Sequence, residues 1–344
     1  MIFIGYYPSW SDLDSVIDPS KQVNIFVDLK NCLTGLFIKE AVQTAIDVNR
    51  GSKQPITDIF VSWLDFVLFH FKYMRKNNIN MNLFHISDSG DSVYHRSIYS
   101  DYKKNRVITK LNTVSELETD AVKKVIRQNF EAIHKAAKKM YNNYSINLSH
   151  FESDFAAHYL IKTEFNDDKY INIIYSRDTD MFQTLKFKNT KIFYRNSKNN
   201  KCFYDHTNWY TKFEKQVDID PTFPVENYIY VKCIAGDKSD DVPGIRGYGF
   251  KKTFAFLNQI KEPINNIKVL REIIELMDTD IAHKMLDNWD IIERNYKLMC
   301  FDEIINSMPL SVFNEFNKLD QQKKLSFGET MLFIDKIHQM WGGV

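Results

Sequence analysis

The stretch Tyr170-Ile-Asn-Ile-Ile-Tyr-Ser-Arg-Asp-Thr-Asp180 decides how this chain is read. Its short apolar run predicts a buried strand, and two aspartates, Asp178 and Asp180, follow at once. The pattern occurs twice more. Val23-Asn-Ile-Phe-Val27 runs into Asp28, and Met81-Asn-Leu-Phe-His-Ile-Ser87 runs into Asp88. Helical periodicity fills the intervals, at about 32–49, 57–76, 116–141 and 152–162, and dominates from Pro221 onward. Weaker strand signals lie at 144–148 and 191–195. Strands alternating with helices predict an α/β fold with a mostly parallel central sheet flanked by helices. In such sheets ligand groups gather beyond the carboxyl ends of the strands, where these aspartates fall. An Asp after a strand also starts turns and caps helices, but that ordinary role does not explain three strands in succession.

Two further acidic pairs join the set. Glu152 and Asp154 lie in Phe151-Glu-Ser-Asp154, where Ser149-His-Phe-Glu152 also reads as a capping box and Asp154 as first-turn acid. Asp237 and Asp240 lie in the turn-rich segment Gly236-Asp-Lys-Ser-Asp-Asp-Val-Pro-Gly244. If the eight carboxylates converge they stay ionised only where a metal offsets them, and otherwise take up several protons. Two carboxylates about 4 Å apart repel by about 4 kcal/mol at an effective dielectric of about 20. An all-oxygen donor set selects magnesium, with manganese as its substitute, over zinc. Such ions serve phosphoryl transfer, and a pair activates the attacking water and stabilises the leaving oxygen.

Gly244-Ile-Arg-Gly-Tyr-Gly-Phe-Lys-Lys252 is a glycine-punctuated loop entering a helix near Phe250. Gly244, Gly247 and Gly249 let backbone approach a phosphate or cation, and Lys251 and Lys252 add positive charge. A net charge of +1 does not announce a nucleic-acid binder, but the charge is segregated. Residues 96–139 hold 11 Lys/Arg against 5 Asp/Glu, a local +6. In the cluster Tyr102-Lys-Lys-Asn-Arg106, cations interleave with rings in the manner that suits a nucleic-acid strand. Lys103 and Arg106, with Arg96, are expected to grip the scissile phosphate, Lys104 to touch DNA, and Tyr102 to stack on an unpaired base.

Hydrophobic residues at 44% and charged residues at 26% describe a packed protein rather than a disordered one. The four cysteines, Cys32, Cys202, Cys233 and Cys300, lack zinc spacing and read as free thiols of a reducing cytoplasm. The first 22 residues do not form a secretory signal, and the apolar run 60–71 is too short to span a bilayer. No membrane partner is expected.

In this order the motifs resemble the 5′-nuclease family, which includes flap endonucleases, the 5′-nuclease domain of bacterial DNA polymerase I, and phage ribonuclease H. The resemblance covers about 23–256, and looser likeness to phage members continues in Asn295-Tyr-Lys-Leu-Met-Cys-Phe-Asp302. It implies a catalytic domain over 23–236 with a helical arch around 89–142, a helix-three-turn-helix motif over 237–262 and a C-terminal helical region over 263–344. Residues 1–22 form an extension without an assigned role. It implies two magnesium ions at Asp28, Asp88, Glu152, Asp154, Asp178, Asp180, Asp237 and Asp240, and a potassium ion in the glycine loop. Expected substrates are DNA with 5′ flaps, nicks or RNA primers, and RNA–DNA hybrid. A single-stranded-DNA-binding protein or clamp is an expected partner, and primer removal in a phage-infected host cytoplasm the expected setting. Phe155, where many members have a further Asp, and Arg177, at a position usually small, depart from the pattern. Two alternatives stand beside this reading: a PIN-like ribonuclease, which needs neither Asp237/Asp240 nor the glycine loop, and an inactive branched-DNA-binding replication factor.

Overall fold

A computed structural model describes residues 8–32, 44, 46, 58–89, 92–104, 116–149, 151–195, 201–319 and 324–341. Most of the helix expected over 32–49, together with Arg106, lies outside the described residues. A six-stranded sheet runs in the order β3-β2-β1-β4-β5-β6, with β1 at Gln22–Asp28, β2 at Met81–Ser89, β3 at Asn143–Ser149, β4 at Tyr170–Tyr175, β5 at Thr190–Arg195 and β6 at Lys201–Tyr204. The first five are parallel, and β6 returns antiparallel on β5 as a hairpin the sequence did not announce.

Alternation within the strands explains the two covered faces. Val23, Ile25 and Val27 point into one cluster, and Phe26 points into the other. The first face is closed by α2 (Asp58–Asn77) and α4 (Glu116–Ala137), whose Trp63, Leu64, Val67 and Ile133 are at most 1% exposed. The opposite face is covered by α5 (Phe155–Leu160) and by helices from the second half of the chain. Short α1 (Trp10–Asp14) gives the first residues a role, because Leu13 is buried and Tyr73 of α2 donates to Asp14 at 2.7 Å.

Three buried asparagines cross the middle of the sheet. Asn82 donates to Asn24 and Asn24 to Asn172, each at 3.1 Å, and Asn172 closes the row on the Phe165 carbonyl. They are paired neighbours in strand register, Asn24 with Asn82 and with Asn172.

The chain then forms α6 (Tyr228–Ala235), a two-strand turn β7 (Gly236–Asp237) and β8 (Val242–Pro243), and α7 (Phe250–Leu257). Among the described residues seven helices follow β8: α7, α8 (Ile267–Glu275), α9 (Asp280–Leu286), α10 (Trp289–Met299), α11 (Phe301–Ser307), α12 (Leu310–Asn317) and α13 (Phe327–Trp341). They wrap the sheet domain: α10 packs on α6 and α13 on α2. Among the described residues no helix is long and apolar enough to cross a membrane.

Candidate metal centre

Chain direction reverses its progress across the sheet between β1 and β4, and crevices form at such a switch point. Asp28 closes β1 there, and Asp178 and Asp180 follow β4 into a 3-10 helix, Thr179–Lys186. Asp88 lies at the same edge in β2. Glu152 and Asp154 occupy the link from β3 to α5, and Asp237 and Asp240 the turn between β7 and β8.

The helix expected from the capping-box spacing at Ser149–Glu152 starts later, because α5 begins three residues beyond Glu152, at Phe155. Asp154 is the N-cap residue, yet its side chain makes no capping hydrogen bond. The link is thus given over to presenting carboxylates. Phe155, 2% exposed, packs edge-on against Phe316 and is core rather than ligand shell.

Burial and mutual repulsion dominate the electrostatics. Asp28 is raised to about 6, first by burial and then by the charge of Asp178, although Asn31 N–H and Ser176 Oγ donate to it at 2.9 and 3.0 Å. Asp154 is pushed well up by burial and by Glu152, Asp28 and Asp178. Lysines offset the rest. Lys30 pairs with Asp88, Lys103 bridges Glu152 and Asp240, and Lys232 bridges Asp180 and Asp237. Against the upward push of burial, Lys103 holds Glu152 below its usual range and Lys232 holds Asp237 at about 2. Among the described residues no three acidic, histidine or cysteine side chains share one point at ligand distance, since ammonium groups bridge the pairs. A donor set of carboxylate oxygens, with the Asp28 and Asp154 carboxyls raised by burial and then by neighbouring charge, fits a hard divalent cation.

Lys232 and Lys30 were not among the expected site residues. Lys232 is 4% exposed and is the one charge in the run Tyr-Ile-Tyr-Val-Lys-Cys-Ile-Ala of α6. A lysine in so apolar a helix must find carboxylates, and that was the available signal. Lys30 follows two residues after Asp28 and carries no comparable mark.

Tyr102 corrects the sequence reading. Its ring is 4% exposed, stacks on buried His95 at 4.7 Å and 18°, and presents no face to a base. Its hydroxyl donates to Glu152 at 2.9 Å and approaches Asp240 at 3.1 Å, so the ring is a strut between two carboxylates. His95 is kept neutral by burial, at about 4. Lys103 adopts φ 54°, a strained value for a side-chain-bearing residue, and its N–H donates to the Asp240 carbonyl at 2.9 Å. That bond ties the start of the basic segment to the Asp237/Asp240 turn. Arg96, on α3 (Val93–Ile98), is exposed, and Lys104 pairs with Asp101 on the surface.

The glycines divide into two kinds. A Cβ on Gly244 would stand 2.2 Å from the Ala235 carbonyl carbon, and one on Gly236 (φ 75°) 2.3 Å from Gly244 N. Gly244 therefore admits protein backbone, not the phosphate expected of it. Gly247 (φ 88°) and Gly249 are open, and Gly249 at φ −74° is the N-cap of α7 in an ordinary conformation. Lys251 and Lys252 are exposed on the first turn of α7. Asn295 of α10, fully buried, fastens this corner by donating to the Cys233 and Pro243 carbonyls at 2.8 and 3.0 Å. Its neighbour Arg294 donates to Pro243 O and lies 4.7 Å from the centre of the Tyr99 ring. Among the described residues Arg177 reaches no carboxylate; its guanidinium donates to the Asn31 carbonyl at 3.2 Å.

No family model matches the chain. A protein of Mycoplasmopsis pulmonis named 5′-3′ exonuclease is 26% identical over 206 residues, 59% of this chain and 57% of the relative. A 5′-3′ exonuclease of Halalkalibacterium halodurans is 32% identical over 105 residues, 30% of each chain. The chain thus spans under two thirds of the length of these relatives. Among solved structures it is similar to the T5 D15 protein co-crystallized with metal ions. That match has a TM-score of 0.56 and 17% identity, covering 92% of this chain and 99% of that one. The bacteriophage T5 D15 flap endonuclease in a complex with DNA and metal ions matches at the same score and identity, over all of its chain. The parallel sheet with its flanking helices is the 5′-nuclease fold. The partial sequence similarity to the two exonucleases agrees with that fold.

Proposed function

We propose that the chain is a magnesium-dependent 5′-nuclease, acting as 5′-3′ exonuclease and flap endonuclease on branched, nicked or RNA-primed DNA. The observation that carries this reading is the convergence of carboxylates from β1, β2, the β3–α5 link, the β4 end and the β7–β8 turn on one sheet edge, with lysines among them. A pure phosphate-binding factor gains nothing from concentrated negative charge. A PIN-like ribonuclease has no use for the β7–β8 pair and the helix-three-turn-helix loop behind it. Asp28, Asp88, Glu152, Asp154, Asp178 and Asp180 would hold the first ion, and Asp237 and Asp240 would serve a second. Bound divalent ions supply an activated water and charge stabilisation of the leaving oxygen. The chain's own residues do the positioning. Lys103 presents its ammonium beside Glu152 and Asp240, where it can aim at charge developing on the phosphate. Tyr102 fixes the spacing of those carboxylates, and Gly247 and Gly249 leave room for a duplex phosphate, with potassium as its companion ion. Primer removal in phage-type replication suits these substrates.

Incubating the purified chain with magnesium and a 5′-labelled flap should give cleavage that chelation stops. Asp180→Asn should abolish it while flap binding in chelator stays equal or tightens, because negative charge near the phosphates is reduced. Wild-type cleavage by Asp180→Asn would reject the assignment.

A further inference from the structure

An open groove of about 790 Å³ begins at Asp178 and Asp237 and runs past Arg177 and Lys238 to Lys212. Gln216 also lines a second hollow of about 620 Å³, where Lys215 and Lys251 stand with Glu214 and Asp218, so the two share a wall. Lys212 sits 3.8 Å from the centre of the Tyr194 ring, which steadies the ammonium at the groove wall. Among the described residues none of Arg177, Lys212, Lys215 and Lys238 lies within 4.0 Å of a carboxylate oxygen, whereas Lys30, Lys103 and Lys232 all do. The lysines among the metal-site carboxylates are compensated, and those along the groove are not. Cations free of ion pairs, lining a trough that opens on a proposed phosphoryl-transfer site, call for a polyanion.

We propose that this groove binds the phosphodiester backbone of the duplex adjoining the cut, with Lys212 and Lys215 as phosphate contacts and Tyr194 as the residue that positions Lys212. The assignment rests on the nuclease reading, but its test does not require cleavage. Affinity for a fluorescent 5′-flap duplex and for a single strand of the flap sequence is measured in chelator across a salt series. Wild type is compared with Lys215→Gln, Lys212→Gln and Lys212→Arg. Each neutralised contact should lower the slope of log affinity against log salt by about 0.9 on the duplex. The single strand should keep its wild-type slope, and Lys212→Arg should behave as wild type. Lys215 is exposed, so its variant reads the effect without disturbing the fold. An unchanged duplex slope in both Gln variants overturns the proposal, and so does an equal drop on duplex and single strand. Failure of the nuclease reading would appear separately, as absence of cleavage by the wild-type chain with magnesium.

Discussion

Replacing Tyr102 by Phe isolates the strut from every other role the ring has. The ring stays in place, 4% exposed and stacked on His95, and only the proton donated to Glu152, with Asp240 beside it, is lost. A hydrogen bond to an ionised carboxylate is worth about 1.5–3 kcal/mol, and one proton serves both acceptors, so the loss is about 2 kcal/mol in total. That energy corresponds to about thirtyfold in rate if it is felt fully in the transition state. Expressed on the carboxylates it is somewhat over one pKa unit upward, since the hydroxyl favours their ionised forms. Single-turnover cleavage of a 5′ flap at saturating magnesium, followed against pH, reads both effects. The plateau should fall by about one order of magnitude or more, and the acidic limb should move about one unit to higher pH. The melting temperature should remain within a few degrees of wild type. A Phe variant with wild-type rate and pH profile, beside an Ala variant that is crippled, would refute the strut and restore a base-stacking ring.

Lys103→Ala should lower the single-turnover rate by about a hundredfold while changing flap affinity much less; a loss confined to affinity would make it a general phosphate contact. Gly244→Ala should lower the melting temperature sharply, because the methyl would lie 2.2 Å from the Ala235 carbonyl carbon, whereas Gly249→Ala should melt as wild type. His70, His85 and His134 are buried and depressed by burial to about 3, 4 and 3, so below their ordinary value of 6.5 the unfolded chain takes protons first and stability falls with pH. At pH 5 each costs about 2 kcal/mol relative to neutral pH. Raised Asp28 and Asp154 act in the opposite sense over that range, leaving a net loss. Equal urea midpoints at pH 7 and pH 5 would contradict it.

The sheet and its acidic edge were legible because each clear strand ends where local composition changes from apolar to Asp. Such a boundary is a property of adjacent residues. Tyr102 was not legible for the opposite reason: its setting in a basic cluster looks solvent-facing, and the groups enclosing it, Glu152 and Asp240, are 50 and 138 residues away. The helix start read too early at Glu152 has a related cause. Spacing of three residues matches the motif, but the local sequence does not reveal that the helix waits until Phe155 so that the link can carry two carboxylates. The glycine loop showed where backbone flexibility was needed without telling which glycine faces protein and which faces outward.

The asparagine row acts as a ruler for the acidic edge of the sheet. Asn24 lies four residues before Asp28, and Asn82 and Asn172 each lie six before Asp88 and Asp178, distances of about 13 and 20 Å along extended chain. Slipping any one strand by a single residue moves its aspartate by about 3.3 Å and turns the amide to the other face. The stranded amides would then cost about 1–3 kcal/mol each. The relative heights of three carboxylates from strands 58 and 148 residues apart are therefore graduated deep inside the sheet. Apolar replacement of Asn24 would leave the carboxylates chemically intact while removing the mark that aligns them.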